Sequence, residues 1–363
     1  MLFDPKPKTS RDVLFDRDKE LDELQKLVMG PCPLILCLGI RRIGKTSLVK
    51  TFINEVDYPS IYINAIKLSE YNYSRNGFFK ILSEEFTRSK GKLARAIEHL
   101  RGIRGVTIGG YGVEFDLMDR DLSLSSILER LSDYALDKGT TFLVVIDEAQ
   151  ELRFLRGYGR IDFRKILAQS YDNLRGLKFI LTGSEVGLLY KFLELENYES
   201  PLYGRIVEEL MVERFSAEKS IEFLEAGFSE VGMKVQRSFI EEAVDRLDGI
   251  PGWLAFYGYE VLRSGRQDIL NFVVEKATSL ARAELGKLVK SSRYYGHILK
   301  AVALGYGSWS TIKSFVELRA GRKVDNKALT RWLKRLVDLS ILTKRNDEYE
   351  FLDPIHKEAA KRL

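Results

Sequence analysis

The sequence predicts an α/β domain built on a parallel sheet, followed by a helical region and a small C-terminal domain that ends in a hairpin. Three observations support this prediction. Four short apolar runs alternate with helical patterns in the first 210 residues, strand patterns stop after Phe215, and two extended runs joined by a turn lie near the end. Continuously apolar strands that alternate with helices are typical of a parallel sheet with helices on both faces.

Length and composition set the limits of this prediction. A chain of 363 residues favours two or three domains, and 45% hydrophobic with 30% charged residues exclude a disordered or collagen-like chain. No apolar run approaches the roughly 18 residues of a membrane helix, and the first residues lack a signal peptide's apolar stretch, so we expect a cytoplasmic protein with no membrane partner. Cys32 and Cys37 lie near no histidine and in no CxxC spacing, so we expect them in the core.

The charge of the chain is unevenly distributed. From Lys290 onward there are 16 Lys and Arg against 8 Asp and Glu, a net charge of +8, whereas residues 1–289 carry 41 against 44, or −3. A basic C-terminal piece on a mildly acidic body suggests a polyanionic partner for that piece.

The first part of the chain shows a regular alternation of elements. Residues 17–29 have apolar side chains at helical spacing, and Gly30-Pro31 ends that predicted helix. Arg104–Phe115 interrupts the alternation, since Gly109-Gly110 between alternating residues predicts an inserted hairpin. The four runs predicted as strands are Leu34–Gly39, Ser60–Ala65, Thr141–Ile146 and Lys178–Thr182.

Helical patterns dominate the rest of the chain. Ser238 with Glu241 predicts a capping box for a helix that ends at Gly249. Three later helices and a hairpin with the turn Asn346-Asp347 predict a winged helix-turn-helix. Its predicted elements are helices near 294–304, 309–319 and 326–340 and extended runs at Ile341–Arg345 and Tyr349–Leu352. We therefore divide the chain into a sheet domain (1–210), a helical lid (211–288) and a winged-helix domain (289–363).

A phosphate-binding pattern, GxxxxGK[ST], follows the first predicted strand and precedes a predicted helix. Its glycines let backbone N–H groups wrap a phosphate, and the helix that begins at Lys45 points its positive dipole end at the same charge. We expect Lys45 to reach the β- and γ-phosphates and the Thr46 hydroxyl to take one Mg²⁺ position. The alternative, a basic glycine turn on the surface, is disfavoured by the strand-loop-helix setting. The expected nucleotide contacts here are Gly39, Ile40, Arg41, Arg42, Ile43, Gly44, Lys45, Thr46 and Ser47.

An acidic pair, Asp147-Glu148, ends the third predicted strand. Ligands bind at the carboxyl edge of parallel strands, so we expect Asp147 to share Mg²⁺ with Thr46 and Glu148 to polarise the attacking water as general base. An acidic pair after a strand is also common as a solvated strand end, but the phosphate loop upstream favours the functional interpretation. Because the strand at 60–65 intervenes, the pattern is typical of P-loop ATPases with an additional central strand and a catalytic glutamate.

The order of these motifs resembles that of AAA+ ATPases of the archaeal ATPase family, which are related to the STAND NTPases and more distantly to archaeal origin-binding initiators. The resemblance implies that Phe15 and Arg17, in the segment 14–21, line the adenine pocket. Gly249–Trp253 resembles the GxP motif of STAND lids, which implies that Pro251 packs on the base or sugar. We find no counterpart here of the sensor 2 arginine that many AAA+ proteins carry in this region.

The resemblance also implies residues that act on the reacting phosphate. Thr182 or Ser184 falls at the sensor 1 position, where a hydroxyl contacts the γ-phosphate or the water. Arg205 falls where related proteins carry an arginine that stabilises transition-state charge, from the same or a neighbouring subunit of a homo-oligomer. In the alternative interpretation, the hydroxyls cap the following turn and Arg205 is an ordinary surface arginine.

The helix predicted near 326–340 has two distinct faces. Four cations fall within an arc of about 100°, with a cluster of apolar side chains opposite, as in a helix that reads the major groove of DNA. Lys344 and Arg345 in the hairpin add phosphate-contact candidates. The alternative is a solvated basic face on a winged helix that binds protein. The four cations are Lys327, Arg331, Lys334 and Arg335.

Together these features predict an enzyme that binds ATP or ADP with Mg²⁺ and uses hydrolysis as a conformational switch. Its winged helix would act on, or be regulated by, double-stranded DNA or a protein partner. Two alternatives remain at this stage: a DNA-bound regulator that holds nucleotide with negligible hydrolysis, and a signalling scaffold whose winged helix binds protein.

Overall fold

A computed structural model describes residues 1–109, 112–116, 119, 122–155 and 162–363. Its strands are β1 (Leu34–Leu38), β2 (Ser60–Asn64), β3 (Val106–Gly109), β4 (Gly112–Phe115), β5 (Phe142–Asp147), β6 (Leu177–Gly183), β7 (Glu208–Met211), β8 (Leu342–Arg345) and β9 (Glu348–Phe351). Its helices are α1 (Asp18–Met29), α2 (Lys45–Glu55), α3 (Arg75–Arg88), α4 (Lys90–Glu98), α5 (Leu124–Asp137), α6 (Phe163–Asn173), α7 (Val186–Leu193), α8 (Ala217–Ser229), α9 (Arg237–Leu247), α10 (Pro251–Ser264), α11 (Leu270–Ser291), α12 (Arg293–Ala303), α13 (Trp309–Ala320), α14 (Asn326–Asp338) and α15 (Pro354–Lys361).

Five strands form a parallel sheet in the order β2-β5-β6-β1-β7. The strand β6 lies between β1 and β5, so the prediction of an additional central strand is confirmed. Alternate residues of β1 serve opposite faces, because side chains along a strand point alternately up and down. Leu36 belongs to the apolar core on one face, together with Phe86 and Leu131, and Ile35 belongs to the core on the other face, together with Leu48. The predicted α/β fold with helices on both faces is thereby confirmed.

The edge strand β7 was not predicted. It is four residues long, pairs with β1 alone among the strands that the structure describes, and spans position 210, where the sequence suggested that the sheet domain ends. A short strand with partly exposed glutamates at 208 and 209 has no continuous apolar run, so the pattern that found the other four strands does not mark it.

The inserted hairpin is present as predicted between residues 104 and 115. The strands β3 and β4 pair antiparallel, while Gly110 of the predicted turn lies outside the described residues. The hairpin packs on α3, where Gly112 at φ 148° sits against Thr87 so closely that a Cβ would lie 2.2 Å from its hydroxyl oxygen. The side chain of Val113 in β4 is buried.

The predicted capping box is wrong. The helix α9 begins at Arg237 with Gln236 as N-cap and no side-chain cap, so Ser238 lies inside the first turn. Arg237 instead pairs with Glu241 one turn along, which uses the carboxylate that the capping box required. The helix ends at Leu247, and α10 begins at Pro251 as the Ile-Pro-Gly punctuation suggested.

The C-terminal part is a winged helix-turn-helix, formed by α12, α13, α14 and the hairpin β8–β9. Asn346 and Asp347 make the hairpin turn with φ of 47° and 63°, the left-handed values that a tight hairpin needs. An unpredicted helix, α15, follows the hairpin and packs back on α11 and α12. The lid and the winged helix share one apolar core, and α11 runs through position 288, the suggested boundary between them.

Across the described ranges, every helix is too short or too polar to span a membrane.

Candidate functional site

The carboxyl ends of four parallel strands meet at one edge of the sheet. Leu38 at the end of β1 lies beside Gly183 of β6, and Asn64 of β2 lies beside Asp147 of β5. Open α/β sheets bind ligands at this edge, so the loops that leave these strands form the candidate site.

The loop between β1 and α2 requires its glycines. Gly39 has φ 150°, and a Cβ there would lie 2.6 Å from the carbonyl oxygen of Val212. Gly44, at φ 100°, precedes the first residue of α2. Arg42 also adopts a left-handed φ of 65°, which is uncommon for a side chain of its size. The loop therefore curls around the amino end of α2, where unpaired N–H groups point outward.

Lys45 is folded into the centre of this loop. Its side chain is buried, and its Nζ donates to the carbonyl oxygens of Gly39 at 2.7 Å and Ile40 at 2.9 Å. Burial lowers the pKa of Lys45, and the charge of Glu148 opposes that shift. The ammonium is thus held where an anion in the loop would meet it.

Asp147 is the centre of a hydrogen-bond cluster. Its Oδ2 accepts from Thr46 Oγ1 at 2.9 Å and from the Tyr62 hydroxyl at 2.5 Å, and its Oδ1 accepts from Thr182. Burial, and then the charge of Asp147, raise the pKa of Tyr62 far above its ordinary value, so its hydroxyl remains a donor. The carboxylate is oriented from three sides.

Glu148 lies next to this cluster with its backbone in the left-handed region, at φ 54°. Its Oε2 accepts from Gln150 Nε2 at 2.7 Å, and from the backbone N–H and hydroxyl of Ser184 at 3.0 and 2.7 Å. Its backbone N–H donates to Thr182 Oγ1 at 3.1 Å. Burial alone would raise the pKa of Glu148, but Lys45 and the bonds from Gln150 and Ser184 lower it below its ordinary value. These surroundings favour the ionised form of the Glu148 carboxyl group.

A cavity of about 630 Å³ extends from the loop to the lid, within the usual range for small-molecule sites. Phe15 contributes to its wall and packs edge-to-face on Phe215 and Phe223, with ring centroids 5.7 and 5.4 Å apart. Arg17 and Pro251 also line it, as do Lys45, Thr46 and Glu148. The guanidinium of Arg17 is already paired with Glu20, with the carbonyl of Ile43 at 3.3 Å and with that of Glu213 at 2.7 Å. Residues 41–47 of the predicted phosphate loop therefore share one cavity with Phe15, Arg17 and Pro251, whereas Gly39 and Ile40 are not among the residues described as lining it.

The two arginines of the loop contact the lid. The Arg42 guanidinium lies 4.2 Å above the ring of Trp253, and its backbone carbonyl accepts from Gly252 N–H at 2.9 Å. Arg42 also pairs with Glu284 of α11 at 2.7 Å, and Arg41 approaches the same carboxylate at 3.4 Å. The loop is thus bound to two lid helices.

Arg205 lies away from the phosphate loop in the folded chain. Its guanidinium bonds both carboxylate oxygens of Asp172, near the end of α6, at 3.2 and 2.6 Å. The next residue, Ile206, accepts from the Cys32 thiol, which precedes β1. These contacts place Arg205 at the amino edge of the sheet, opposite the phosphate loop. An action of Arg205 on the site of its own chain does not fit this placement.

The four cations predicted to form one basic face of α14 differ in their exposure to solvent. Lys327, Arg331 and Lys334 are exposed and line one open surface. Arg335 is half-buried on the side that faces the sheet domain: the pKa of Arg153 there is lowered first by burial and also by the charge of Arg335. On the opposite side of α14, Leu329, Leu333 and Leu336 are buried as predicted.

Several residues that contact the candidate site were not predicted from the sequence. Tyr62 and Gln150 bind the acidic pair, and Trp253 and Glu284 hold the loop arginines. For Gln150 a signal existed, since it follows the acidic pair by two residues. Tyr62 and Glu284 come from elements far away in sequence, so only the folded chain brings them to the site.

The sequence matches the model of an ATPase domain found predominantly in Archaea over residues 14–256. Residues 289–352 match the C-terminal winged helix-turn-helix domain of MCM proteins. Among solved structures, a Walker-type ATPase of Pyrococcus abyssi is similar over 100% of both chains, with 37% identity and a TM-score of 0.88. The ADP form of the ORC2 protein of Aeropyrum pernix is similar in fold, over 99% of this chain and 95% of that chain, with 16% identity and a TM-score of 0.55. A search of curated proteins found no match.

Proposed function

The chain belongs to the family of ATPase domains found predominantly in Archaea, and we propose that this ATPase binds Mg-ATP between the phosphate loop and the lid. Hydrolysis of the bound ATP then acts as a conformational switch. The observation that carries the proposal is that Lys45, Thr46 and Glu148 line a cavity of about 630 Å³, while Asp147 accepts a hydrogen bond from Thr46. Its other end is aromatic, which suits a purine base.

Each group has a defined task in this proposal. The loop from Gly39 to Ser47 binds the phosphates through backbone N–H groups, and Lys45 meets the β- and γ-phosphates. Thr46 and Asp147 supply two oxygens 2.9 Å apart, which suits Mg²⁺ because it usually takes few protein ligands and keeps phosphates and water. When Mg²⁺ is bound there, it would neutralise charge that develops on the phosphates. Phe15 and Pro251 flank the base or sugar.

Hydrolysis in this site is a proton transfer coupled to phosphoryl transfer. Glu148 accepts a proton from water, the water oxygen bonds to the γ-phosphorus, and the bond to the β-phosphate oxygen breaks to leave ADP and phosphate. Thr182 orients both Asp147 and the backbone of Glu148, and Ser184 orients the Glu148 side chain. Both hydroxyls predicted as sensors therefore act through the acidic pair.

The contacts of the loop give the switch a route to the winged helix. Glu284 binds Arg42 at 2.7 Å and lies 3.3 Å from Nε2 of His356 in α15. Burial alone would raise the pKa of Glu284, but His356 and Arg42 hold it well below its ordinary value. A charged lid residue thus contacts both the phosphate loop and the C-terminal part. We propose the division into residues 1–210, 211–288 and 289–363 as the units that this route connects.

The winged helix is proposed to bind double-stranded DNA through the exposed cations of α14. A regulator that holds nucleotide with negligible hydrolysis is the second candidate. It is favoured by one observation: Glu148 Oε2 already accepts three hydrogen bonds from protein groups, so this oxygen is occupied by protein donors rather than open to a water molecule.

Calorimetry and single-turnover hydrolysis test the proposal together. Lys45→Ala should weaken ATP binding by at least about 2 kcal/mol, because a buried charge-assisted contact is lost. Glu148→Gln should bind ATP as the parent does, and its hydrolysis should fall roughly 10²-fold. Lys361→Ala, on the surface of α15, is the matched control for removal of a lysine.

The outcomes separate the candidates. Unchanged ATP affinity in Lys45→Ala would refute the nucleotide site. A parent that binds ATP without measurable single-turnover chemistry would establish the nucleotide-holding regulator instead.

A further inference from the structure

The segment 2–8 forms part of the wall of the candidate nucleotide cavity. Each residue from Leu2 to Lys8 lines the cavity, together with residues of the phosphate loop and of the lid. The segment is attached at both ends: the Leu2 N–H donates to Glu230 at 2.7 Å, and the Lys8 N–H donates to Ser47 Oγ at 3.0 Å. It therefore joins the lid to the helix that follows the phosphate loop.

Phe3 anchors the segment in a socket of the lid. The ring is only 1% exposed and packs edge-to-face on Phe223 and Phe228, with centroids 5.6 and 5.0 Å apart. Two lid glycines form the socket: a Cβ on Gly227 of α8 would lie 2.3 Å from the ring, and one on Gly258 of α10 would lie 2.6 Å from it. Each of these two helices has a glycine, and therefore no side chain, at the position where the Phe3 ring packs.

The other end is fixed to α2. The Asn54 side chain donates to the carbonyl of Thr9 at 3.0 Å, and Arg11 binds Glu55 through its backbone N–H at 2.8 Å and its guanidinium at 3.1 Å. Ser47, which receives the Lys8 N–H, directly follows the two residues expected at the phosphates and the metal. The segment thus ends against the phosphate-binding part of the cavity.

The segment itself is stiff and cationic. Pro5 and Pro7 fix two backbone φ angles, and Lys8 Nζ donates to the carbonyls of Met1 at 2.7 Å and Asp4 at 2.9 Å. Lys6 and Lys8 outweigh the charge of Asp4, so the segment is positive where a polyanionic ligand would lie beneath it.

We propose that residues 2–8 form a strap that sets the residence time of the bound nucleoside diphosphate or triphosphate. While Phe3 occupies its socket, the strap closes the exit between lid and phosphate loop, and a bound nucleotide leaves only after Phe3 is released. The proposal rests on the cavity being the nucleotide site.

The test measures dissociation of a fluorescent ADP analogue, mant-ADP, chased with excess ADP in a stopped-flow instrument. Phe3→Ala removes the anchor and should raise the dissociation rate at least about tenfold, since closure of a lid segment commonly limits product release. Gly258→Ala leaves Phe3 intact and fills the socket, so it should raise the rate in the same direction. Alanine also favours the helical conformation of α10, which offsets part of the cost of the clash with the Phe3 ring. Leu318→Ala, at a position that is 81% exposed on α13, is the control.

Each result has a distinct meaning. Faster release in folded Phe3→Ala, with the control unchanged, supports the strap, and faster release in Gly258→Ala strengthens that support. Parent-like dissociation in folded Phe3→Ala overturns it. If the parent fails to bind mant-ADP, the proposed nucleotide site has failed instead.

The parent alone gives a further readout that needs no variant. Saturating ADP should slow tryptic cleavage after Lys8, because the bound anion and the cations of the closed strap stabilise each other. Equal cleavage with and without ADP, in a protein that binds mant-ADP, also overturns the proposal.

Discussion

Ser184 donates two hydrogen bonds to a single oxygen of Glu148, one from its backbone N–H at 3.0 Å and one from its hydroxyl at 2.7 Å. Both bonds favour the ionised carboxylate and contribute to the lowered pKa of Glu148. Ser184 therefore orients the Glu148 carboxylate and adds to the lowering of its pKa by Lys45 and Gln150.

The first prediction concerns the pH dependence of turnover. A base must be deprotonated, so activity falls as pH drops through the pKa of Glu148. Ser184→Ala removes one bond that lowers this pKa, so the acid limb of the kcat profile should move to higher pH. Ser184→Thr keeps the hydroxyl and serves as the control. Superimposable acid limbs for Ser184→Ala and the parent would show that the hydroxyl does not tune Glu148.

A second prediction follows from the 2.5 Å hydrogen bond between Tyr62 and Asp147. Tyr62→Phe removes a donor that orients the carboxylate, and loss of such supporting bonds typically costs about tenfold or more in metal affinity. The Mg²⁺ concentration that gives half-maximal ATP hydrolysis should rise accordingly, whereas nucleotide binding measured in EDTA should not change.

Tyr58→Phe makes the same chemical change away from Asp147, since the Tyr58 hydroxyl contacts only Gln25 among the bonds described, at 3.4 Å. A Tyr62→Phe protein with the parent's Mg²⁺ dependence would mean that Thr46 and Thr182 suffice to orient Asp147.

The third prediction concerns Arg205, which lies at the sheet edge opposite the phosphate loop. If it stabilises transition-state charge, it does so in a neighbouring chain of a homo-oligomer. Arg205→Ala should then slow turnover with little change in ATP affinity. Activity per chain of the parent should also climb with protein concentration.

A mixing experiment makes this prediction decisive. Arg205→Ala and Glu148→Gln proteins should each be poorly active, and their mixture should regain activity because some sites combine an intact Glu148 with a neighbour's intact Arg205. Parent-like turnover of Arg205→Ala would assign the residue to its bond with Asp172.

The sequence was sufficient to predict those parts of the fold that depend on local patterns. Four core strands, the hairpin near 104–115, and the three helices and wing at the C-terminal end all have short-range periodicity or turn residues. Two elements were not predicted. The edge strand β7 is short and half-polar, and the helix α15 follows the hairpin with which the predicted winged helix ended. The capping box failed because Glu241 pairs with Arg237 rather than with a helix end.

The candidate site divides in the same way. The loop from Gly39 to Ser47 and the pair Asp147-Glu148 are contiguous motifs, whereas Tyr62, Glu284 and the strap reach them only through tertiary packing. Phe3 is an example: the socket that binds its ring is formed by two glycines, Gly227 and Gly258, that lie more than 200 residues away in sequence. The sequence near Phe3 therefore does not reveal its role.

The last prediction is that the exposed cations of α14 bind DNA phosphates. Each phosphate contact that is neutralised should lower the slope of log K against log salt by about 0.9. Arg331→Ala combined with Lys334→Ala should therefore flatten the slope by nearly two units, and ATP binding should persist because these residues lie on the open surface of the winged helix. Arg335→Ala is the matched comparison on the same helix. Because Arg335 is half-buried on the side of Arg153, its removal should change the slope less.

Fluorescence anisotropy with a labelled duplex measures this slope, and the full chain is the appropriate protein because the winged helix shares its core with the lid. If one of these arginines contacts a base edge, its loss should instead reduce discrimination between sequences by about 1 to 3 kcal/mol. Electrostatic attraction is strongest at low salt, so absence of binding at about 50 mM salt would exclude the DNA interface. The basic face of α14 would then be better explained as a surface for an acidic protein partner.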